Sequence, residues 1–196
     1  MNYNLKRLEG EHVVLIPTSE VGLDKELRRT YRDWLNNDQE VREGIGETYH
    51  YTDSDIDDLF NEYMKGKKEL HFIIYLKTPT GLEPIGDISV VVEGDELTPF
   101  NESHRDQDRI GYLKIMLGRE RGKGYGTEAA KLLFDYLFNE QKFDKIFSSH
   151  YSDNEASRRL HEKLGFNQLY IASPDGREEM FLEITREKYK RQKDKN

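Results

Sequence analysis

The chain has 196 residues, enough for one compact domain, and no cysteine, which excludes a disulfide framework, a thiolate metal site and a cysteine nucleophile. Its net charge of −8 argues against a nucleic-acid backbone as partner. No apolar run approaches ~18 residues and the first ten lack a signal-peptide core, so no membrane span and a cytoplasmic location are expected.

In chain order, residues 11–17 read as a first strand closed by Pro17. Residues 24–37 read as a helix with Leu27, Tyr31, Trp34 and Leu35 on one side. A second helix is expected from Thr52 or Asp53, with Asp53, Asp55 and Asp57 in its first turns, where the helix dipole favours carboxylates, and Gly66 as its stop. Two strands follow at 70–76 and 85–93, separated by the turn Pro79-Thr80-Gly81, and a third at 110–117. The polar stretch 94–108 reads either as a mobile loop over a site or as a surface connection. After Gly126 the pattern becomes helical, with Ala129, Leu132, Leu133, Tyr136, Leu137 and Phe138 on a wide apolar face. A strand at 145–151 and a helix at 154–164 stopped by Gly165 come next. Strands at 166–172 and 179–184 flank the turn Ser173-Pro174-Asp175-Gly176. The order is mixed α+β in one domain, 1–185, and the strand–helix–strand unit at 110–150 implies at least one parallel pairing. The tail, 186–196, holds six Lys/Arg against two acids and reads as a solvated helix end or a disordered terminus.

The most informative segment is Arg121-Gly122-Lys123-Gly124-Tyr125-Gly126-Thr127, between an expected strand and an expected helix. Three glycines at alternate positions let the backbone turn sharply and leave no Cβ over the amides. Successive N–H groups at a helix N-terminus then form a phosphate cradle, and Arg119, Arg121 and Lys123 add positive charge. The spacing is neither that of a P-loop, since Gly118 is one residue too close to Gly122 and Gly124 stands where a hydroxyl belongs, nor that of a dinucleotide fingerprint.

A second constellation follows: Asn154-Glu155-Ala156-Ser157 and then His161-Glu162-Lys163-Leu164-Gly165-Phe166. With Arg121, Gly124 and Gly126 in an Arg/Gln-x-x-Gly-x-Gly/Ala pattern, the chain resembles the GNAT superfamily of acetyltransferases, in its ribosomal-protein and polyamine acetyltransferase-like branches. Tyr31-Arg32-Asp33-Trp34-Leu35-Asn36-Asn37-Asp38 and Ile85-Gly86-Asp87-Ile88 resemble weaker family features. The resemblance implies a single domain with a splayed, mostly antiparallel central sheet holding one parallel strand pair and flanked by helices. It implies acetyl-CoA as donor, entering between strands 110–117 and 145–151. The pantetheine arm would pair with backbone near Ile115, Met116 and Leu117, and the pyrophosphate would sit on amides from Arg121 to Gly126, with Tyr125 and Thr127 of the same motif also counted as cofactor-binding. Asn154 and Ser157 would face the cofactor, although Asn154 is equally suited to capping its helix. A homodimer is also implied.

Acyl transfer to an amine requires that the amine lose a proton, since an alkylammonium with a pKa near ~10.4 has no lone pair at neutral pH. The oxyanion must also be stabilised, for which a backbone N–H on strand 110–117 is suited, and the thiolate must be protonated. No metal is needed. Where many relatives place a tyrosine as acid for the thiolate, this chain has His161, which could serve instead. Candidates for the base are Asp87, Glu93 and Asp108, with His150 and Tyr112 as further options. The acceptor is expected to be a cationic amine: a polyamine, an amino sugar, an aminoglycoside or a protein N-terminus. Asp53, Asp55, Asp57, Asp58, Glu93, Asp95, Glu96, Asp106 and Asp108 would form a negative funnel for it. The alternative is a non-catalytic acyl-CoA-binding regulatory module.

Overall fold

Short apolar runs with period-two alternation assemble into one sheet, and amphipathic helices cover its two faces. The computed structural model describes residues 3–22, 24–174 and 176–194; Asp175 of the expected turn at 173–176, and the last two residues of the tail, lie outside the described residues. The strands are β1 (Leu8–Glu9), β2 (Val13–Pro17), β3 (Glu69–Thr78), β4 (Gly81–Val91), β5 (Ile110–Leu117), β6 (Lys145–Tyr151), β7 (Asn167–Ala172) and β8 (Glu179–Thr185). Their spatial order is β1-β2-β3-β4-β5-β6-β8-β7, and every pairing is antiparallel except β5 with β6. This is the mixed sheet with one parallel pair that the chain order implies.

The helices are α1 (Thr18–Val21), α2 (Lys25–Asn37), α3 (Gln39–Ile45), α4 (Asp53–Lys65), α5 (Tyr125–Asp135), α6 (Glu155–Leu164) and α7 (Arg186–Lys193). Their ends follow from local chemistry. Asp24 accepts from the N–H groups of Glu26 and Leu27 to start α2. Thr52 and Asp55 form a reciprocal capping box at α4, and Gly66, in the left-handed region, closes it. Gly165 closes α6 in the same way.

One face of the sheet carries α5, the π-helical turn Tyr136–Glu140 that continues it, and α6, with Leu133, Phe134, Leu137 and Phe138 packed on Phe72, Ile74, Ile88 and Ile146. The other carries α2 and α4, with Leu27, Tyr31, Trp34, Ile56 and Phe60 on Ile73 and Met116. The basic segment at the C-terminus is held as α7: Thr185 caps it, and the buried Tyr189 packs on Phe134 and Phe138 and donates its hydroxyl to the carbonyl of Lys131. The 94–108 connection contains a 3-10 turn, Asp95–Phe100, and the Phe100 ring is fully buried and stacked on Phe147 at 4.3 Å. Among the described residues, no helix is long and apolar enough to cross a membrane.

Candidate active site

The parallel pairing of β5 with β6 lasts only for Ile110, Gly111 and Tyr112 against Lys145, Ile146 and Phe147. Beyond Tyr112, β5 continues beside β4 and β6 continues beside β8, so the sheet splits into a V. On β5 the main-chain groups of alternate residues point to the same side. Leu113 directs its carbonyl toward β6, 3.1 Å from the Ser148 hydroxyl oxygen. Ile115 and Leu117 share that orientation and face the opening. Met116 faces the other way. Its carbonyl would lie 2.1 Å from a Cβ on Gly86 of β4, an approach only glycine permits. Of the three main-chain positions expected to meet the pantetheine arm, Ile115 and Leu117 line the V, while Met116 turns its polar atoms to β4 and buries its side chain under α2.

The glycine loop stands at the wide end of the V. Gly124 is the N-cap of α5, with φ +92° and no side-chain hydrogen bond to the first turn. A Cβ at Gly122 or Gly124 would meet nothing within 4 Å. The first-turn amides of α5 therefore lie uncapped beside open space, where the helix dipole favours an anion. Gly126 is buried against Ile115 and Leu117, and Tyr125 and Thr127 complete the first turn.

The basic side chains of the loop are not free charges. Arg121 reaches Asp38 and Glu40 at the start of α3 and donates to the carbonyls of Leu117 and Gly118. Lys123 pairs with Glu120, and Arg119 lies 3.9 Å from Glu83. Sequence proximity suggested a basic loop; the fold sets a carboxylate against each of its cations. Asn154 is the N-cap of α6, accepting from Ser157 N–H, and its amide also reaches the Gly44 carbonyl.

His161 is buried on α6, stacked on His150 and beside Phe166. Its Nδ1 lies 2.8 Å from the Ser157 carbonyl, which can only accept, so that nitrogen carries the proton. Burial pulls its pKa down to about 4. The imidazole is therefore neutral at pH 7, with the Nε2 lone pair 2.8 Å from the Ser148 hydroxyl. His150 likewise places Nδ1 on the Tyr151 carbonyl.

Asp87 is buried between β3 and β5 under α2. Burial raises its pKa to about 7, with Glu69 adding to the rise, while Tyr31 and Lys114 oppose it. Its Oδ2 has no hydrogen-bond partner of normal geometry, and Oδ1 lies 3.8 Å from His71 Nε2. Asp108 instead closes a turn: it accepts from the Arg105 N–H and guanidinium, which hold its carboxyl below the usual range. Glu93 is exposed at the end of β4.

Where the V begins, on the face away from α5 and α6, lies a cavity of about 350 Å³. Tyr112, Ser149, Glu179, Glu96, Tyr170 and Phe181 line it. Ser149 and Glu179 were missed from sequence. No local motif marks either, and only the register of β6 against β8 brings them together.

Residues 23–167 match the acetyltransferase (GNAT) domain family. The chain is 26% identical over 193 residues to an N-acetyltransferase 9-like protein of Caenorhabditis briggsae, covering 95% of this chain and 87% of that one. It is 28% identical over 145 residues to the spermidine N(1)-acetyltransferase of Escherichia coli, covering 74% and 70%. Among solved structures, spermidine N-acetyltransferase from Vibrio cholerae in complex with CoA and spermine superposes with a TM-score of 0.71 at 17% identity, covering 92% of this chain and 99% of that one. The split sheet, the uncapped glycine loop at its mouth and a match across most of the chain agree: the protein belongs to the GNAT family of acetyltransferases, whose donor is acetyl-CoA.

Proposed function

We propose that the protein transfers an acetyl group from acetyl-CoA to a primary amine that is cationic at neutral pH, such as a polyamine, an amino sugar, an aminoglycoside or a protein N-terminus with basic neighbours. The observation that carries the transfer is the V between β5 and β6, where β5 beyond Tyr112 has no strand pairing to β6, with the uncapped start of α5 at its mouth. The amides of 121–126 hold the pyrophosphate, Ile115 and Leu117 pair with the pantetheine arm, and a main-chain N–H of β5 serves the oxyanion. Arg121 shapes the loop through the Leu117 and Gly118 carbonyls. Asn154 and Ser157 steady the start of α6. His161, neutral and accepting at Nε2, holds the Ser148 hydroxyl by taking its proton in a hydrogen bond rather than giving up a proton itself. The cationic acceptor is supported by the carboxylates near the start of the V and by the names of the polyamine-acetylating relatives.

The test is release of free CoA, followed with a thiol reagent, across neutral, anionic and cationic amines. Turnover with cationic amines supports the assignment. CoA binding without release on the whole panel would leave a donor-binding module instead. Pairing of two copies along the β7 edge, where Ile171 is exposed, belongs to the same proposal; a monomer in sedimentation at high micromolar concentration removes it.

A further inference from the structure

The cavity at the start of the V has two kinds of wall. One is aromatic: Tyr170 stacks on Phe181 at 4.6 Å, and its hydroxyl is tied to the Pro99 carbonyl. The other is a chain of hydroxyls ending on a carboxylate. The oxygens of Tyr112 and Ser149 are 2.6 Å apart, and Ser149 donates to Glu179. Each hydroxyl has one proton, so the direction is fixed: Tyr112 donates to Ser149, and Ser149 to Glu179. Glu96 stands at the rim, 3.6 Å from Lys114, which also pairs with Glu69. Glu96 is therefore compensated by a lysine, whereas among the described residues Glu179 meets only a neutral hydroxyl in its side-chain hydrogen bonds and ion pairs.

Tyr112 is the last β5 residue paired with β6, so the cavity opens where the two strands part. With the pyrophosphate loop at the wide end of the V, a donor lying along β5 brings its acyl end to the closed end, where this cavity opens.

We propose that this cavity is the ammonium pocket of the acceptor, in which Glu179 pairs with the cation and, through Ser149, takes a proton from it, a proposal that rests on the acetyl-transfer assignment. The ligand class is a primary ammonium on a short unbranched chain, its methylenes against Tyr170 and Phe181. The protons balance. An ammonium has three N–H bonds and the amide product has one. One proton passes to the Ser149 oxygen as the Ser149 proton moves to Glu179, and from there to solvent. This frees the lone pair that forms the C–N bond. The C–S bond breaks with its electron pair on sulfur, and the second nitrogen proton ends there as the thiol. Glu179 pairs with the ammonium charge, while the proton itself passes through Ser149, the group that accepts it from the nitrogen.

The experiment uses the full chain saturated with CoA and 1,4-diaminobutane as probe. Calorimetry should show diaminobutane binding to the wild type, weakened tenfold or more in Glu179→Gln, with CoA affinity unchanged. In turnover with the best amine of the panel, Glu179→Gln should lower kcat by about 100-fold as well as raise KM, since loss of a base costs on the order of 100-fold or more. Glu179→Asp should recover part of both, which a role in packing alone would not produce. Wild-type protein that fails to bind diaminobutane, or a Glu179→Gln variant with wild-type binding and turnover, overturns the pocket. The two proposals fail separately. CoA release that is insensitive to Glu179 removes the pocket and keeps the transferase. Glu179-dependent diaminobutane binding with no CoA release from any amine removes the transfer and keeps the pocket.

Discussion

Burial acts on Asp87 and His161 in the same direction physically and in opposite directions on the pH axis. In both it disfavours the charged form, so Asp87 rises to about 7 and His161 falls to about 4. For Asp87 the folded state binds more protons than the unfolded state between about 4 and about 7, so its contribution to stability is lost as pH rises through that window. For His161 the unfolded state binds more protons between about 4 and about 6.5, so stability is lost as pH falls through that window. Urea midpoints measured from pH 4 to 8 check both signs. Asp87→Asn should remove a decline toward pH 7, and His161→Gln should remove a decline toward pH 4; unchanged slopes would mean that neither group is held neutral. At the donor loop, Gly124→Glu places a carboxylate in the open space beside the uncapped amides and forces a non-glycine residue to φ +92°. CoA affinity measured by calorimetry should fall by at least tenfold; wild-type affinity would remove the loop from the donor site. The glycine loop was legible because its conformation is local, three glycines within five residues at the start of a helix. The partners of Arg121 were not legible, because Asp38 and Glu40 lie about eighty residues away and meet it only once α3 packs beside β5.

At the scale of elements, segments with capping chemistry and long periodic faces could be read directly. Thr52 with Asp55 starts α4, Gly66 and Gly165 end α4 and α6, and the V follows from one parallel pairing placed between antiparallel ones. α3 was missed because its seven residues carry a single buried apolar side chain, Val41, and so show no periodic face. The 94–108 connection, left open between a lid and a surface link, is decided by Phe100. A fully buried ring stacked on Phe147 anchors it and sets Glu96 and Pro99 at the cavity rim. Phe100→Ala removes a buried aromatic and should cost about 3–5 kcal/mol in urea unfolding. It should also raise KM for the amine while leaving CoA affinity unchanged, since the stack supports the cavity wall and lies away from the loop at the mouth of the V. A stability loss under about 1 kcal/mol, typical of a surface change, would show that the segment is not held by this ring.

The whole molecule carries −8, yet much of the acid expected to form a funnel is already engaged. Asp53 pairs with Arg32, Asp57 with Arg28 and Asp108 with Arg105, and Asp55 caps its own helix. Close to the surface such pairs are nearly dipoles and attract little. At distances beyond the spacing of a pair, the summed charge decides the field, and that sum is negative. The donor loop adds little positive field, because Arg119, Arg121 and Lys123 each face a carboxylate. On the proposed reading a cationic acceptor would be drawn by the net charge over a range set by salt, about 10 Å at 0.1 M and about 3 Å at 1 M. It would then be retained at short range by the proposed pocket at Glu179. The two contributions separate by experiment. Raising salt from about 0.05 M to about 0.5 M, which shortens that range severalfold, should lower kcat/KM for a cationic amine. It should scarcely change kcat/KM for an amine that is uncharged at the assay pH. In Glu179→Gln the relative loss with salt should persist, since removing one carboxylate leaves the net charge strongly negative, while the absolute rate drops at every salt concentration. A cationic acceptor whose kcat/KM does not fall with salt would show that the acidic balance serves the surface alone and that recognition begins only inside the cavity.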